Sequence, residues 1–218
     1  MFRKSIIILT LMILMGGCAS TARNHRAAEL VNLGMTYANN GQYDFAMEKY
    51  NRAIKIDPGF AKAYNDRGNV FFMKGEFDLA IKEYRKALEL DPAFVKAYSN
   101  LGFAHFEKKQ YARAITYYTD AIQINPGYAK AYNNRGLAYH VSGNFDLALL
   151  DYNRAIDIDP TLAKPYDNRG TVYLELGEIE MACADFTKAC ELGECATYEM
   201  FEDDAFCAFT YLAMMDVQ

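Results

Sequence analysis

The chain has 218 residues, of which 52% are hydrophobic, 14% aromatic and 23% charged. That is ample for an ordered core and excludes a disordered, highly charged chain. A formal net charge of −5 lacks the basic footprint of a nucleic-acid binder, so no nucleic-acid partner is expected.

Met1 to Gly17 reads as an export signal. Arg3 and Lys4 form a positive start, and Ile6 to Met15 is an apolar run broken only by Thr10. The run is shorter than the ~20 apolar residues that cross a bilayer, and it suits the hydrophobic region of a signal peptide. Leu14-Met15-Gly16-Gly17-Cys18 follows. This stretch resembles a bacterial lipobox, with Met15 where Leu is commoner. The resemblance implies that Cys18 is fatty-acylated and becomes the new N-terminus. Several acyl chains hold a protein firmly where one binds only marginally. By resemblance to lipoproteins of double-membraned bacteria, Ala19 rather than Asp after the cysteine implies an outer-membrane protein facing the periplasm. The other reading is cleavage after Ser20-Thr21-Ala22, releasing a soluble periplasmic or secreted protein. Residues 18–26 form the link to the folded part. The eight residues from Ala19 to Arg26 reach at most about 29 Å.

From Ala27 the chain repeats every 34 residues: Ala27–Phe60, Ala61–Phe94, Val95–Tyr128, Ala129–Leu162 and Ala163–Ala196. A period of this length marks a stacked-repeat architecture. Each repeat holds two apolar stripes of helical period split by a turn, which predicts a pair of helices. The turn carries Gly41, Gly75, Gly143 or Gly177, with Lys109 in the third repeat. Glycine ends a helix in a left-handed residue at little cost, so Lys109 predicts a strained or reshaped turn. Second helices end at Asp57-Pro58, Asp91-Pro92, Asn125-Pro126 and Asp159-Pro160, because proline disfavours helical geometry in the residue before it. Gly34, Gly68, Gly102, Gly136 and Gly170 recur in the first helices, and Ala46, Ala80, Ala114, Ala148 and Ala182 recur twelve residues later. A helical glycine costs about 1 kcal/mol against alanine. Close approach of glycine to alanine is the expected compensation. Tyr50, Tyr84, Tyr118, Tyr152 and Phe186 are expected to wedge between neighbouring pairs.

Together these residues resemble the tetratricopeptide repeat family over Ala27 to Ala196. The resemblance implies an all-α, right-handed α-solenoid of five helix pairs, with first helices lining a concave groove that binds proteins. Such repeats are stable only when stacked, and their ends need covering. The fifth repeat departs, since Gly193-Glu194 replaces Asp-Pro. Thr197 to Met215 predicts one helix within a capping segment, 197–218. A swapped or partner-binding helix is the alternative.

Cys183, Cys190, Cys195 and Cys207 are confined to this end. In an exported domain four cysteines point to two disulfides. Cys183 and Cys190 stand about 10.5 Å apart along one helix, beyond the reach of a bridge. A cap folded back about residues 193–196 brings Cys183 to Cys207 and leaves Cys190 and Cys195 astride the turn, so Cys183–Cys207 and Cys190–Cys195 are the expected pairs. Four buried thiols are the alternative. A zinc site is disfavoured because the spacings lack paired C-x-x-C and no histidine is near. His25, His105 and His140 are scattered, with His105 at a core aromatic position. No nucleophilic constellation, phosphate loop or metal set converges, so no enzyme activity, cofactor or metal is expected.

Asn32, Asp66, Asn100, Asn134 and Asn168 share one first-helix position. Amide side chains both donate and accept, which suits an extended peptide backbone of any sequence. The set resembles the asparagine ladder of some tetratricopeptide proteins; alternatively the amides bond neighbouring helices. Phe72, Phe106 and His140 share a second register with Leu174. They make either an apolar binding strip or a partly buried seam. Val31, Asn65, Ser99, Asn133 and Asp167 stand where binders of acidic C-terminal tails carry Lys, so that recognition is not expected. Lys62, Lys96, Lys130 and Lys164 form a rim ladder.

The expected function is a non-enzymatic, lipid-anchored adaptor holding an envelope protein or peptide in the groove. Outer-membrane protein assembly, pilus or secretion-machine assembly and cell-wall enzyme regulation are the settings the resemblance offers. A structural subunit, its groove filled by a second copy or a fixed neighbour, is the other reading.

Overall fold

A computed structural model describes residues 24–202. Eleven helices occupy the described residues, with no strand among them. They are α1 (24–39), α2 (Tyr43–Ile56), α3 (Ala61–Met73), α4 (Phe77–Leu90), α5 (Val95–Glu107), α6 (Tyr111–Ile124), α7 (Ala129–Val141), α8 (Phe145–Ile158), α9 (Ala163–Glu175), α10 (Ile179–Glu191) and α11 (Ala196–Glu202). The leader, Cys18 and the segment beyond 202 with Cys207 lie outside the described residues. No described helix is long and apolar enough to cross a membrane. The chain divides into two compact units, Met1–Ala104 and His105–Gln218.

The first helix starts earlier than the sequence predicts. Residues 24–26, assigned above to the link, are helical. No breaker precedes Ala27, and His25 Nδ1 lies 3.3 Å from Glu29 Oε1 one turn on.

Within each unit, consecutive helices pack as pairs, α3 on α4, α7 on α8 and α9 on α10. What meets the helical glycine corrects the expectation. A Cβ on Gly34, Gly68, Gly136 or Gly170 would lie 2.6, 2.7, 2.8 and 2.7 Å from the ring of Tyr50, Tyr84, Tyr152 and Phe186 respectively. The glycine therefore seats an aromatic ring of its own pair, sixteen residues later, rather than an alanine side chain. Alanine contributes backbone: a Cβ on Gly136 or Gly170 would lie 3.3 Å from the carbonyl oxygen of Ala148 and 3.2 Å from that of Ala182. The same rings join the next pair's core, since Tyr50 shares a buried cluster with Ala63 and Val70, and Tyr152 with Val172. Such a ring buries a large apolar area, which offsets the conformational cost of the glycine beneath it.

Two kinds of turn punctuate the pairs. Gly41, Gly75, Gly143 and Gly177 have φ of 72° to 79°, and Lys109 takes the same conformation at 59°. The third turn is thus strained rather than reshaped. Lys109 N still donates to Phe106 O at 2.7 Å and Gln110 N to His105 O at 2.9 Å, matching Gly75 to Phe72 and Glu76 to Phe71. At the second turn the residue before proline is extended (Asp57, φ −132°, ψ 93°). Its carboxylate or amide oxygen accepts a backbone N–H two residues on, from Gly59, Ala93, Gly127 or Thr161 at 3.0 to 3.1 Å. That local bond is why Asp or Asn stands there. The last turn lacks it. Gly193, at φ 101°, and a Cys190–Cys195 disulfide close it instead. Cys183 is buried and also disulfide-bonded; Cys207, its expected partner, lies outside the described residues.

Candidate functional site

The first helices carry the amide positions, and their hydrogen bonds run from helix to helix. In the first unit Asn100 on α5 donates both Nδ2 hydrogens to α3, to Asn65 Oδ1 at 2.9 Å and Asn69 Oδ1 at 3.0 Å. Asp66 accepts from Asn65 Nδ2 at 2.9 Å and pairs with Lys62 Nζ at 2.7 Å. In the second unit Asn168 on α9 donates to Asn133 Oδ1 on α7 at 3.0 Å, and Asn133 Nδ2 donates to Asn134 Oδ1 at 3.1 Å. Asn32 is exposed. The amides thus bond neighbouring helices, yet each network leaves polar atoms for a ligand. Asn100 Oδ1 accepts no hydrogen bond among the described residues, and Asn134 Nδ2 donates none.

Open cavities adjoin both networks. One of about 610 Å³ in the first unit is lined by Met35, Asn39, Tyr43, Asp66, Asn69 and Met73, among others. One of about 430 Å³ in the second is lined by Lys130, Asn133, Asn134, Leu162, Lys164 and Glu194, among others. Lys164 Nζ pairs there with Glu194 Oε2 at 3.0 Å. Amides beside apolar walls, partly pre-ordered by their own bonds, suit a peptide whose backbone needs partners and whose side chains need cover.

The aromatic register is a seam rather than an open strip. Phe72 packs on Phe77 at 5.3 Å between ring centroids, Phe106 on Tyr111 at 5.3 Å, and His140 on Phe145 at 5.7 Å. Each ring stands near the end of a first helix and folds onto the opening residue of the second, which half-buries it. His140 Nε2 also lies 3.0 Å from Glu175 Oε1 on α9. Phe103, stacked on Phe72 at 5.0 Å, is the exposed aromatic next to it. Among the described residues no group of His, Cys, Asp and Glu is placed to hold a metal ion.

A set of arginines holds the first helices in place. Arg135 on α7 donates Nε and Nη2 to the two carboxylate oxygens of Asp151 on α8, both at 2.8 Å, and Nη1 to Thr119 on α6 at 3.0 Å. Arg169 on α9 repeats this with Asp185 at 2.7 Å on both bonds and with Asn153. Arg67 on α3 donates Nε and Nη2 to one oxygen of Glu83, Oε2, at 3.0 and 2.7 Å, and Nη1 to Asn51 Oδ1 at 2.7 Å. Each guanidinium ties its own pair to the preceding second helix. Tyr132 and Tyr139 flank Arg135 at 5.7 and 5.9 Å. The hydrogen bonds to Asp151 and Asp185 raise the pKa of both arginines, so both stay charged. The available signal was an Arg-Gly followed by an acid sixteen residues after the Arg, in the second, fourth and fifth repeats.

Comparison with known proteins agrees along the chain. Family models described as TPR repeat match residues 34–75 and 68–109, and models described as tetratricopeptide repeat match 95–128, 129–162 and 163–192. A crystal structure of MamA is 31% identical, covers 74% of this chain and 94% of its own, and superposes at TM-score 0.62. PilF of Pseudomonas aeruginosa is 22% identical over 90% of this chain and 93% of its own, at TM-score 0.76. YrrB, described as a TPR protein with an unusual peptide-binding site, is 22% identical over 85% and 97%, at TM-score 0.60. The last two likenesses show the fold alone. No curated protein matches.

Proposed function

The chain belongs to the tetratricopeptide repeat family, and we propose that it is a non-enzymatic adaptor, lipid-anchored in the bacterial envelope, that holds a peptide or protein against its first helices. The observation that carries the binding role is the pairing of pre-ordered amides with open cavities. Asn100 has both its N–H groups engaged, so it offers Oδ1 to a backbone N–H of the partner. Asn133 and Asn134 line the cavity of the second unit. A side chain fixed before binding loses less entropy when the ligand arrives. The anchor rests on the Leu14-to-Cys18 stretch that ends the apolar leader. The task we assign is assembly of an envelope, secretion or pilus machine, where a tethered adaptor keeps subunits close to the membrane.

Two experiments test this. Solubilised envelope is passed over the wild type and over Asn100→Ala/Asn134→Ala. Proteins retained by the wild type are expected to bind the variant at least tenfold more weakly, and equal recovery removes the amides from the site. Separately, Cys18→Ser is expected to move the protein from the membrane fraction to the soluble fraction of the envelope; unchanged membrane partition overturns the anchor.

A further inference from the structure

The exposed side of the last two repeats breaks the pattern of the others. Leu150 on α8 is 64% exposed, at the position held elsewhere by Glu48, Lys82, Thr116 and Ala184. Leu176, just past α9, is 47% exposed, where the other repeats carry Asn40, Lys74, Lys108 and Ser142. Leu147, 44% exposed, shares a cavity of about 320 Å³ with Leu176. Leu150 lies three residues beyond Leu147 on α8 and so on the same helix face. Three leucines thus form one exposed apolar strip. The position of Leu147 is apolar and exposed in other repeats too, as Phe45, Leu79 and Met181, and Leu150 and Leu176 extend it where the other repeats carry mostly polar residues. Single exposed leucines need no explanation, but a contiguous strip with a polar rim marks a contact surface.

The rim says what kind of contact. In the first unit Lys74 Nζ pairs with Asp44 Oδ1 at 3.0 Å, across 30 residues. The equivalent positions in the second unit are Leu176 and Asp146. Leucine has replaced the cation, and Asp146 makes no ion pair among the described residues. Asp146 lines the same cavity as Leu147 and Leu176. Glu178 and Glu180, both exposed, follow Leu176 directly. The strip is therefore apolar at its centre and acidic at this end, with the base the repeat normally supplies left out. Arg154, one turn beyond Leu150, stands at the other end.

We propose that this strip docks a cationic amphipathic segment of another protein, whose apolar side chains cover Leu147, Leu150 and Leu176 and whose Lys or Arg supplies the missing partner of Asp146. A second copy of this chain offers only Arg154 against three carboxylates, Asp146, Glu178 and Glu180, even in the antiparallel two-fold contact that brings the two ends together. An anionic lipid surface is repelled by those carboxylates. The strip lies on α8 and the turn after α9, apart from the first-helix amides, so this inference does not rest on the groove.

The probe is a synthetic helical peptide of leucine and lysine, compared with one of the same pattern in which every lysine is glutamate. Binding to the full chain is followed by fluorescence anisotropy. The lysine peptide is expected to bind at least tenfold more tightly than the glutamate peptide, and more weakly as salt rises. Leu150→Ser and Leu176→Lys should each weaken it at least tenfold, the second by restoring the repeat's own ion pair. Asp146→Asn should weaken it and flatten the salt dependence. These positions are exposed, so thermal melts of the variants should match the wild type. Equal binding of the two peptides, or unchanged binding by Leu150→Ser/Leu176→Lys, overturns the proposal. So does a wild-type dimer that Leu150→Ser dissociates in sedimentation, or flotation with anionic vesicles that Leu150→Ser abolishes. Unchanged peptide binding by Asn100→Ala/Asn134→Ala supports a site outside the groove; its loss relocates the site and defeats this one.

Discussion

The fourth repeat and the third fill the same repeat positions with different chemistry. In the fourth, Arg135 joins three helices through Asp151 and Thr119 and lies between Tyr132 and Tyr139. In the third, the positions of the arginine and its acid are Leu101 and Tyr117. There, His105 stacks on Tyr117 at 5.2 Å, and its Nδ1 lies 2.7 Å from Gln110 Oε1. The third repeat also carries the left-handed lysine, Lys109, and the division between the two compact units falls inside it, after Ala104. The lesson is that one register can carry an ionic tie in one repeat and an aromatic stack in another, while the turn between the helices keeps one backbone geometry. The arginine adds direction: a bidentate fork accepts its carboxylate in few geometries.

The largest test removes the tie. Arg135→Leu leaves Asp151 buried and uncompensated, and the expected loss is about 3 kcal/mol in urea unfolding, the lower end for a broken buried pair. Arg135→Leu/Asp151→Tyr, which installs the third repeat's own residues, is expected to recover more than half of that loss. If the double variant is no better than the single, the two solutions are not interchangeable.

A smaller effect is expected at the first turn. Lys109→Gly relieves a left-handed non-glycine residue and should stabilise by about 1 kcal/mol, while Gly143→Lys in the fourth repeat should cost about the same. Opposite shifts in melting temperature would establish that the two turns share one backbone geometry, and shifts of like sign would refute it.

The smallest effect separates rings by their hydroxyls. Tyr84 donates to Asn69 Oδ1 at 2.8 Å, whereas the buried Tyr152 hydroxyl has no partner among the described residues. Tyr84→Phe should cost about 1 kcal/mol and Tyr152→Phe close to nothing; the fifth repeat already carries Phe186 at this position. Burial pushes the Tyr152 phenol above its ordinary range. The folded state therefore resists deprotonation, and its stability declines once pH rises past the unfolded phenol's value of about 10. Tyr152→Phe should lessen that alkaline decline, and an identical decline in the variant would discount this ring as its source.

The helices, their order and most of their turns were legible in the residues, because a 34-residue period, helical stripes, Gly at one turn and Asp-Pro at the other act through the nearest few residues. That Asn32, Asp66, Asn100, Asn134 and Asn168 share one first-helix register was legible too. Whether its amides bond a ligand or each other was not, since Asn100 and Asn65 are 35 residues apart and meet only after two pairs have stacked. The arginine tie hid for a similar reason: charge pairs are sought three or four residues apart on one helix, whereas Arg135 and Asp151 face each other across a turn.

Spacing alone thus specified the turns between helices from Ala27 on, since prolines and left-handed turns are short-range effects, whereas the start of the first helix at residue 24 carried no such mark. Which atom fills the space above Gly136 was settled by packing. Alanine twelve residues on and tyrosine sixteen on both return to the glycine once the chain doubles back, and only the assembled pair shows that the tyrosine ring takes the space while the alanine offers its carbonyl oxygen. Likewise, Leu150 and Leu176 look like ordinary apolar residues in the chain. The fold turns them outward beside an Asp146 left without its usual lysine, and so converts two packing letters into a surface.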